Sequence, residues 1–334
     1  MTIEATPAPI SGDVQASRPR TEVSLSRVGV TGMEKVIRVG PSSGGQLYFA
    51  ELECFVDLDP TQAGVHMSRF EEVVGEAVDA VVLGEAAFRA ETLAAHIAER
   101  ILESQSALRA EVSLNAHYPE TVSTPESGKP TQEMYTLLGT AVASARGTRT
   151  LTGVRAQGMT ACPCAQGMVR DSARERLAGG DLTDEQIEHV LDTVPIATHN
   201  QRGIGTLHVG VPEGTEADLE ARDLLRIVES SMSSEIYELL KRPDELAVVE
   251  KAHAQPRFVE DCVREMVRQV VDSYGDLGAD AFVQARQENL ETIHRHNVVA
   301  ERHGTLGDLA SELSSGDRSA HHLTMREWLE TPGA

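Results

Sequence analysis

Residues 46–59 read QLYFAELECFVDLD, and this stretch decides the fold class. Tyr48, Ala50, Leu52, Cys54, Val56 and Leu58 fall on one side of an extended chain, and Glu51, Glu53 and Asp57 fall on the other. That period of two predicts a strand with one buried face. Residues 23–39 alternate in the same way just before it. Downstream the period changes. Phe70, Val73, Val74, Ala77, Val78, Val81 and Val82 predict a helix over residues 68–83, and Leu93, Ile97, Ile101 and Leu102 predict another over 90–102. Alternation returns at 108–118 and 134–145, on either side of a Pro/Ser/Thr/Gly-rich stretch, 119–131, that reads as a loop. The order is β-β-α-α-β-β.

The second half reads as a degenerate copy. Strands are predicted at 149–157, 203–211, 279–287 and 292–300, and helices at 216–230 and 256–273. A largely helical insertion occupies 162–200. The result is an α+β chain of two like modules, 23–146 and 147–303. A mobile tail is expected at 1–22 and a polar, loosely packed one at 304–334.

Composition limits the function. The chain has 334 residues and about 40% apolar content, enough for a substantial core. Its formal net charge of −22 opposes nucleic acid and anionic membranes as partners. No apolar run is long enough to span a bilayer, and the first 20 residues lack the apolar centre of a signal peptide, so the cytoplasm is the expected location. Only Lys35, Lys129, Lys241 and Lys251 among the 30 basic residues are lysine, which fits a GC-rich genome or a salt-adapted, acidic proteome. Cys54, Cys162, Cys164 and Cys262 are too few for a disulfide framework and read as thiols.

Several motifs carry chemistry. GMTACPCAQ (158–166) places two thiols around a proline just after a strand. Pro163 stiffens that backbone, which suits Cys162 to metal ligation or nucleophilic attack. ATHNQRGIG (197–205) puts His199 and Arg202 on a loop entering a strand. YELLKRPDE (237–245) and PRFVED (256–261) place Asp244, Glu245, Glu260 and Asp261 at helix starts, where carboxylates also complement the macrodipole. ETIH (291–294) spaces Glu291 and His294 for one helix face, or for opposite sides of a strand. GVHMSRF (64–70) sets His66 and Arg69 at a helix start, where an anion can bind. Cys, His and Glu together make a mixed S/N/O set of the kind found in catalytic divalent sites, and composition leaves Fe²⁺, Zn²⁺ and Mn²⁺ open.

Taken in this order, GVHMSRF, GMTACPCAQ, HNQRG, YELLKRPDE, FVED and ETIH resemble the prokaryotic metal-dependent GTP cyclohydrolases of type IB and their archaeal counterparts. The resemblance implies the tunnelling fold and a homodimer or homotetramer with sites at subunit interfaces. It implies a metal site of Cys162, His199 and Glu245, with Fe²⁺ the leading ion. It makes Glu260 the anchor of the guanine edge, and Cys162, Glu291 and His294 the catalytic set. His66, Arg69 and Arg202 are then candidates for the triphosphate, since guanidinium forks suit phosphate oxygens.

The 37-residue spacing from Cys162 to His199 resembles the archaeal branch. Its product from GTP is 7,8-dihydroneopterin 2′,3′-cyclic phosphate, for tetrahydromethanopterin- or folate-type pterins. The bacterial-type product is dihydroneopterin triphosphate. Two rivals stand beside this reading. One is a reductase of a cyano-deazapurine on the same fold, with Cys162 as nucleophile. The other is a non-catalytic metal- or pterin-binding protein, against which Glu291 and His294 argue.

Overall fold

The computed structural model describes residues 14–39, 46–83, 89–211, 219–316 and 321–331. Among these residues nine strands form one antiparallel sheet in the order β1-β2-β3-β4-β5-β6-β8-β9, with the two-residue β7 paired to β5. The first half runs β1 (Leu25–Val39), β2 (Gln46–Leu58), α1 (Met67–Leu83), α2 (Ala90–Gln105), β3 (Arg109–Ser123) and β4 (Pro130–Ser144). The second runs β5 (Gly147–Ala161), α3 (Pro163–Ala178), α4 (Asp184–Thr193), β6 (Asn200–Val211), α5 (Ala221–Ser230), β7 (Ser234–Glu235), α6 (Arg242–Ala254), α7 (Val259–Tyr274), β8 (Phe282–Leu290) and β9 (Val298–Thr305). Helices α8 (Leu306–Ser315) and α9 (Met325–Glu330) close the chain. No helix among the described residues is long and apolar enough to cross a membrane.

The alternation in β2 does what its period requires. Tyr48, Ala50, Leu52, Cys54, Val56 and Leu58 are buried in a core that α1, α2, α5 and α7 cover from one side of the sheet. Burial pushes the Cys54 and Cys262 thiols up to about 12, so both are inert apolar packing groups.

Three sequence expectations change. The loop over 119–131 contracts to the turn 124–129, because β3 and β4 continue pairing out to Ser123↔Pro130. Pro119 pairs with Met134 in this two-stranded extension, beyond the end of the β2–β3 ladder at Ala50↔Ala116. The strand expected over 292–300 begins only at Val298, and residues 291–297 form a loop. The C-terminal segment is not loosely packed: Leu306, Leu309, Trp328 and Leu329 are buried. Of the N-terminal tail, residues 1–13 lie outside the described residues, as do residues 216–218 of the helix expected over 216–230. Within residues 14–22, Ser17 O accepts the Ala63 N–H (2.8 Å) and Gln15 O accepts the Gly64 N–H (3.1 Å).

Helix α9 docks on the sheet face opposite the main core. Trp328, the only tryptophan, packs there with Val142, Leu151 and Phe282. Its indole Nε1–H donates to Asp280 O at 2.8 Å, and the Arg149 guanidinium lies 4.7 Å from its ring centre. Gly210 makes the room, since a Cβ there would stand 2.7 Å from the indole.

Asp244 ties the two halves together. Its fully buried carboxylate accepts the N–H groups of Glu126 (2.9 Å), Ser127 (2.7 Å) and Lys241 (2.9 Å) and the Ser127 hydroxyl (2.7 Å). Burial by itself would raise its pKa, but these bonds to the ionised form outweigh it and hold the carboxyl well below the usual range. The aspartate of KRPDE is therefore the clasp on the β3–β4 turn.

Glu229 is perturbed the other way. Burial, with Glu235 and Glu133 nearby, pushes its carboxyl up to about 7, against the opposing effects of the Tyr135 hydroxyl (2.7 Å) and Lys251. The folded state thus holds a proton that the unfolded chain releases near 4.5. Stability from this group is present at low pH and is lost as pH rises through about 7, by up to about 3 kcal/mol. Glu229→Gln should therefore flatten the fall in Tm between about pH 5 and about pH 8, while a steeper fall would contradict this account.

Candidate active site

The site forms where the ends of β5, β6 and β8 meet the start of α7. Cys162 caps α3 in an extended conformation, with Pro163 opening the helix and Sγ accepting the Ala165 N–H at 3.4 Å. The Cys162 N–H donates to His199 O (3.1 Å), and the Thr198 hydroxyl donates to Cys162 O (2.7 Å), so the two motifs lie side by side. The Arg257 N–H donates to Ala161 O at 3.0 Å, which brings the first turn of α7, and Glu260 with it, to the end of β5. Beyond β8 the 291–297 loop is fastened by the Thr292 hydroxyl on Asn200 O (3.1 Å).

These elements enclose a cavity of about 260 Å³ lined by Cys162, His199, Glu260, Glu291 and His294. Five of the expected residues therefore converge. Gln201, Arg257, Phe258, Asn289 and His296 also line it, and none of them was singled out from the sequence. Spacing held a signal for three of these. Gln201 in β6 and Asn289 in β8 lie two residues from His199 and Glu291, which stand just outside those strands, and His296 lies two beyond His294 in the loop, on which its ring stacks at 5.1 Å.

The remaining expected residues are elsewhere in this chain. Glu245 is exposed in the first turn of α6 and does not line the cavity, because Asp244 beside it takes the inward position. Arg202 is exposed and alternates away from buried Gln201 on β6. At the start of α1, Arg69 donates to Ser104 O (2.9 Å) and Gln105 brackets the His66 backbone (3.2 and 2.9 Å). Neither side chain reaches this cavity.

His199 is oriented from behind. Thr160, fully buried, accepts the Gln201 amide N–H at 3.0 Å, which turns Gln201 Oε1 toward His199 Nδ1, also at 3.0 Å. With Nδ1–H donating to that oxygen, Nε2 keeps its lone pair for a ligand. Glu291 Oε2 stands 3.8 Å from the same Nδ1. The thiol of Cys162 and the imidazole of His199 suit a borderline divalent ion such as Fe²⁺ or Zn²⁺. Among the described residues no three His, Cys, Asp or Glu side chains stand close enough together to hold one, so this conformation does not present a complete ligand set.

A family profile described as type I GTP cyclohydrolase FolE2 matches residues 12–300. This chain belongs to that family. It is 42% identical over 308 residues to GTP cyclohydrolase MptA of Methanococcus aeolicus, covering 90% of this chain and 99% of that protein. It is 43% identical over 305 residues to GTP cyclohydrolase MptA of Haloferax volcanii, covering 91% and 98%. Among solved structures, uricase from Arthrobacter globiformis superposes with a TM-score of 0.52 at 10% identity, covering 90% of this chain and 98% of that one. That likeness establishes the fold alone: a large antiparallel sheet with helices, the tunnelling fold expected from the motifs. In this cyclohydrolase-family chain all six motifs lie within the matched region.

Proposed function

We infer that this protein is a cytoplasmic GTP cyclohydrolase of the archaeal kind, opening the guanine imidazole ring with loss of C8 as formate. The observation that carries the reading is the meeting of Glu260, Cys162, His199, Glu291 and His294 in one cavity. Glu260 accepts from the N1–H and 2-amino groups of guanine and orients the ring. Adenine offers no such pair and leaves the carboxylate unmatched. Cys162 and His199 would hold one divalent ion, Fe²⁺ before Zn²⁺ or Mn²⁺, while Glu245, the third ligand that the motifs imply, lies exposed outside the cavity in this conformation and would have to approach it to complete the set. When bound, the ion supplies Lewis-acid activation of the water that attacks C8. His294, on the exposed 291–297 loop, delivers a proton to the ring nitrogen as its bond to C8 breaks. Anaerobic incubation with GTP and Fe²⁺, followed by product mass, tests this. The 2′,3′-cyclic phosphate with diphosphate is expected, and a dihydroneopterin triphosphate would move the enzyme to the bacterial type.

Metal content separates the two thiols. Cys162→Ser should lose the ion, while Cys164→Ser, altering an exposed side chain, should keep it. Full occupancy in Cys162→Ser would refute the ligand assignment.

The chain works as a closed homo-oligomer of two-module subunits, a dimer or tetramer, with the modules at 23–146 and 147–303. Three observations support this. The 15-residue β1 and the eight-residue β9 are sheet edges, which closed assembly would pair. The cavity of about 260 Å³ falls below the usual range for ligand pockets, so one chain supplies only part of a nucleotide site. His66 and Arg69 lie outside that cavity, in the first half. They reach a neighbouring subunit's site, where they bind the triphosphate together with Arg202. Mixing inactive Arg69→Ala with inactive Cys162→Ser subunits should restore part of the activity, and an undiminished monomer at high dilution would contradict it.

A further inference from the structure

Strand β8 carries Gln287, Asn289 and Glu291 at a period of two, the last just beyond its end, so they share one face. Gln287 and Asn289 are both buried, at 0% and 2% exposure, and Asn289 lines the cavity. Gln287 Nε2 donates to Asn289 Oδ1 at 3.1 Å. An asparagine amide has one oxygen and one NH₂ group. With its oxygen engaged from below, Asn289 offers the cavity its donor side.

The neighbouring strand is cut away for this pair. Gly203, of the HNQRG motif, stands opposite Asn289 in register. A Cβ there would lie 2.4 Å from Gln287 Nε2 and 3.2 Å from Asn289 Oδ1. At Gly205 a Cβ would lie 2.4 Å from Val228 Cγ1 and 3.1 Å from Gln287 Oε1. That Gln287 oxygen is buried and has no hydrogen-bond partner among the described residues. Two strand glycines and an unsatisfied buried oxygen weaken the fold, and an apolar pair at these positions would avoid both costs.

We propose that Asn289 donates a hydrogen bond to O6 of the guanine base, completing the edge that Glu260 begins, with Gln287 as the positioning residue that fixes the amide's orientation. The guanine edge presents O6 as an acceptor, then N1–H and the 2-amino group as donors. A carboxylate matches the two donors, and the remaining acceptor needs an N–H. Adenine places an amino group where O6 would be, so Asn289 rejects it by setting donor against donor. The proposal rests on the guanine-edge role of Glu260.

The test is calorimetric binding to the full-length protein of GTP, 6-thio-GTP, ITP and 7-deaza-GTP. Sulfur is a weak acceptor, ITP lacks the 2-amino group, and 7-deaza-GTP lacks N7. Asn289→Ala should weaken GTP, ITP and 7-deaza-GTP alike, by about tenfold or more, and leave 6-thio-GTP almost unchanged. Asn289→Asp keeps the side chain's shape and the Gln287 bond but loses the donor, so it should show the same pattern with a larger loss. Gln287→Leu should lower the preference for GTP over 6-thio-GTP, whereas a merely structural role would weaken both equally. Equal losses for GTP and 6-thio-GTP in Asn289→Asp would overturn the O6 assignment. A loss that vanishes with 7-deaza-GTP would overturn it in favour of N7. A parent protein that fails to prefer GTP over ITP would overturn the Glu260 reading itself and the O6 assignment with it. A parent that does prefer GTP, with Asn289→Asp indifferent to O6, would remove the Asn289 proposal alone.

Discussion

Replacing His294 by Ala should cut turnover by about 10²–10⁴-fold while leaving GTP binding nearly intact. Breaking the bond between C8 and its ring nitrogen leaves charge on that nitrogen unless a proton arrives with the cleavage. His294 lines the same cavity as Glu260 and stands on a loop that its stacked neighbour His296 and the Thr292 hydroxyl help to hold. With the selection of GTP assigned to Glu260 by the proposed function, the loss should appear in kcat and not in the dissociation constant. Any formamide intermediate that the variant does form should persist longer than in the parent, because release of formate needs a second proton transfer. Single-turnover product analysis beside calorimetric binding checks both parts. Normal turnover in His294→Ala would remove the residue from the mechanism.

Trp328→Ala should destabilise the fold by about 3–5 kcal/mol, with a fall in Tm of roughly 10 °C. The indole is 2% exposed and fills a layer made by Val142, Leu151 and Phe282 on the sheet face opposite the main core. Its removal leaves a void that Gly210 cannot fill, and it frees the Asp280 carbonyl and the Arg149 guanidinium from their contacts with the ring. Trp328→Phe should recover most of the loss, falling short by about 1 kcal/mol for the missing indole N–H bond. Thermal unfolding of both variants measures this. An unchanged Tm in Trp328→Ala would mean that α9 does not dock.

Periodicity made the strands and helices of the first half legible, because each element buries one face and its side-chain period states which. It failed where burial is not one-sided or the element is short. Helix α9 has six residues, too few to show a period, and its anchor is a single Trp328 whose partners lie far away in sequence. The β3–β4 ribbon beyond Ala116 has lost its β2 neighbour, so residues 119–123 carry no core pattern. At the site, five of the motif residues singled out from the sequence converge: Cys162, His199, Glu260, Glu291 and His294. The aspartate and glutamate of KRPDE could not be told apart by sequence, since both stand in a first helical turn. Only packing against the 124–129 turn shows that Asp244 is the clasp and Glu245 the exposed one. Gln201 and Asn289 escaped notice because neutral amides carry no obvious chemistry, although their place on the strand puts them in line with His199 and Glu291.

The central claim is that this cavity opens the imidazole ring of GTP at C8. Following GTP labelled with ¹³C at C8 by NMR, with the protein loaded anaerobically with Fe²⁺, tests it directly. The account predicts that the label appears as free formate, in step with loss of GTP, and that Glu260→Ala and His294→Ala slow it for different reasons. Label retained in an intact purine ring, or GTP consumed with no labelled formate formed, would contradict it.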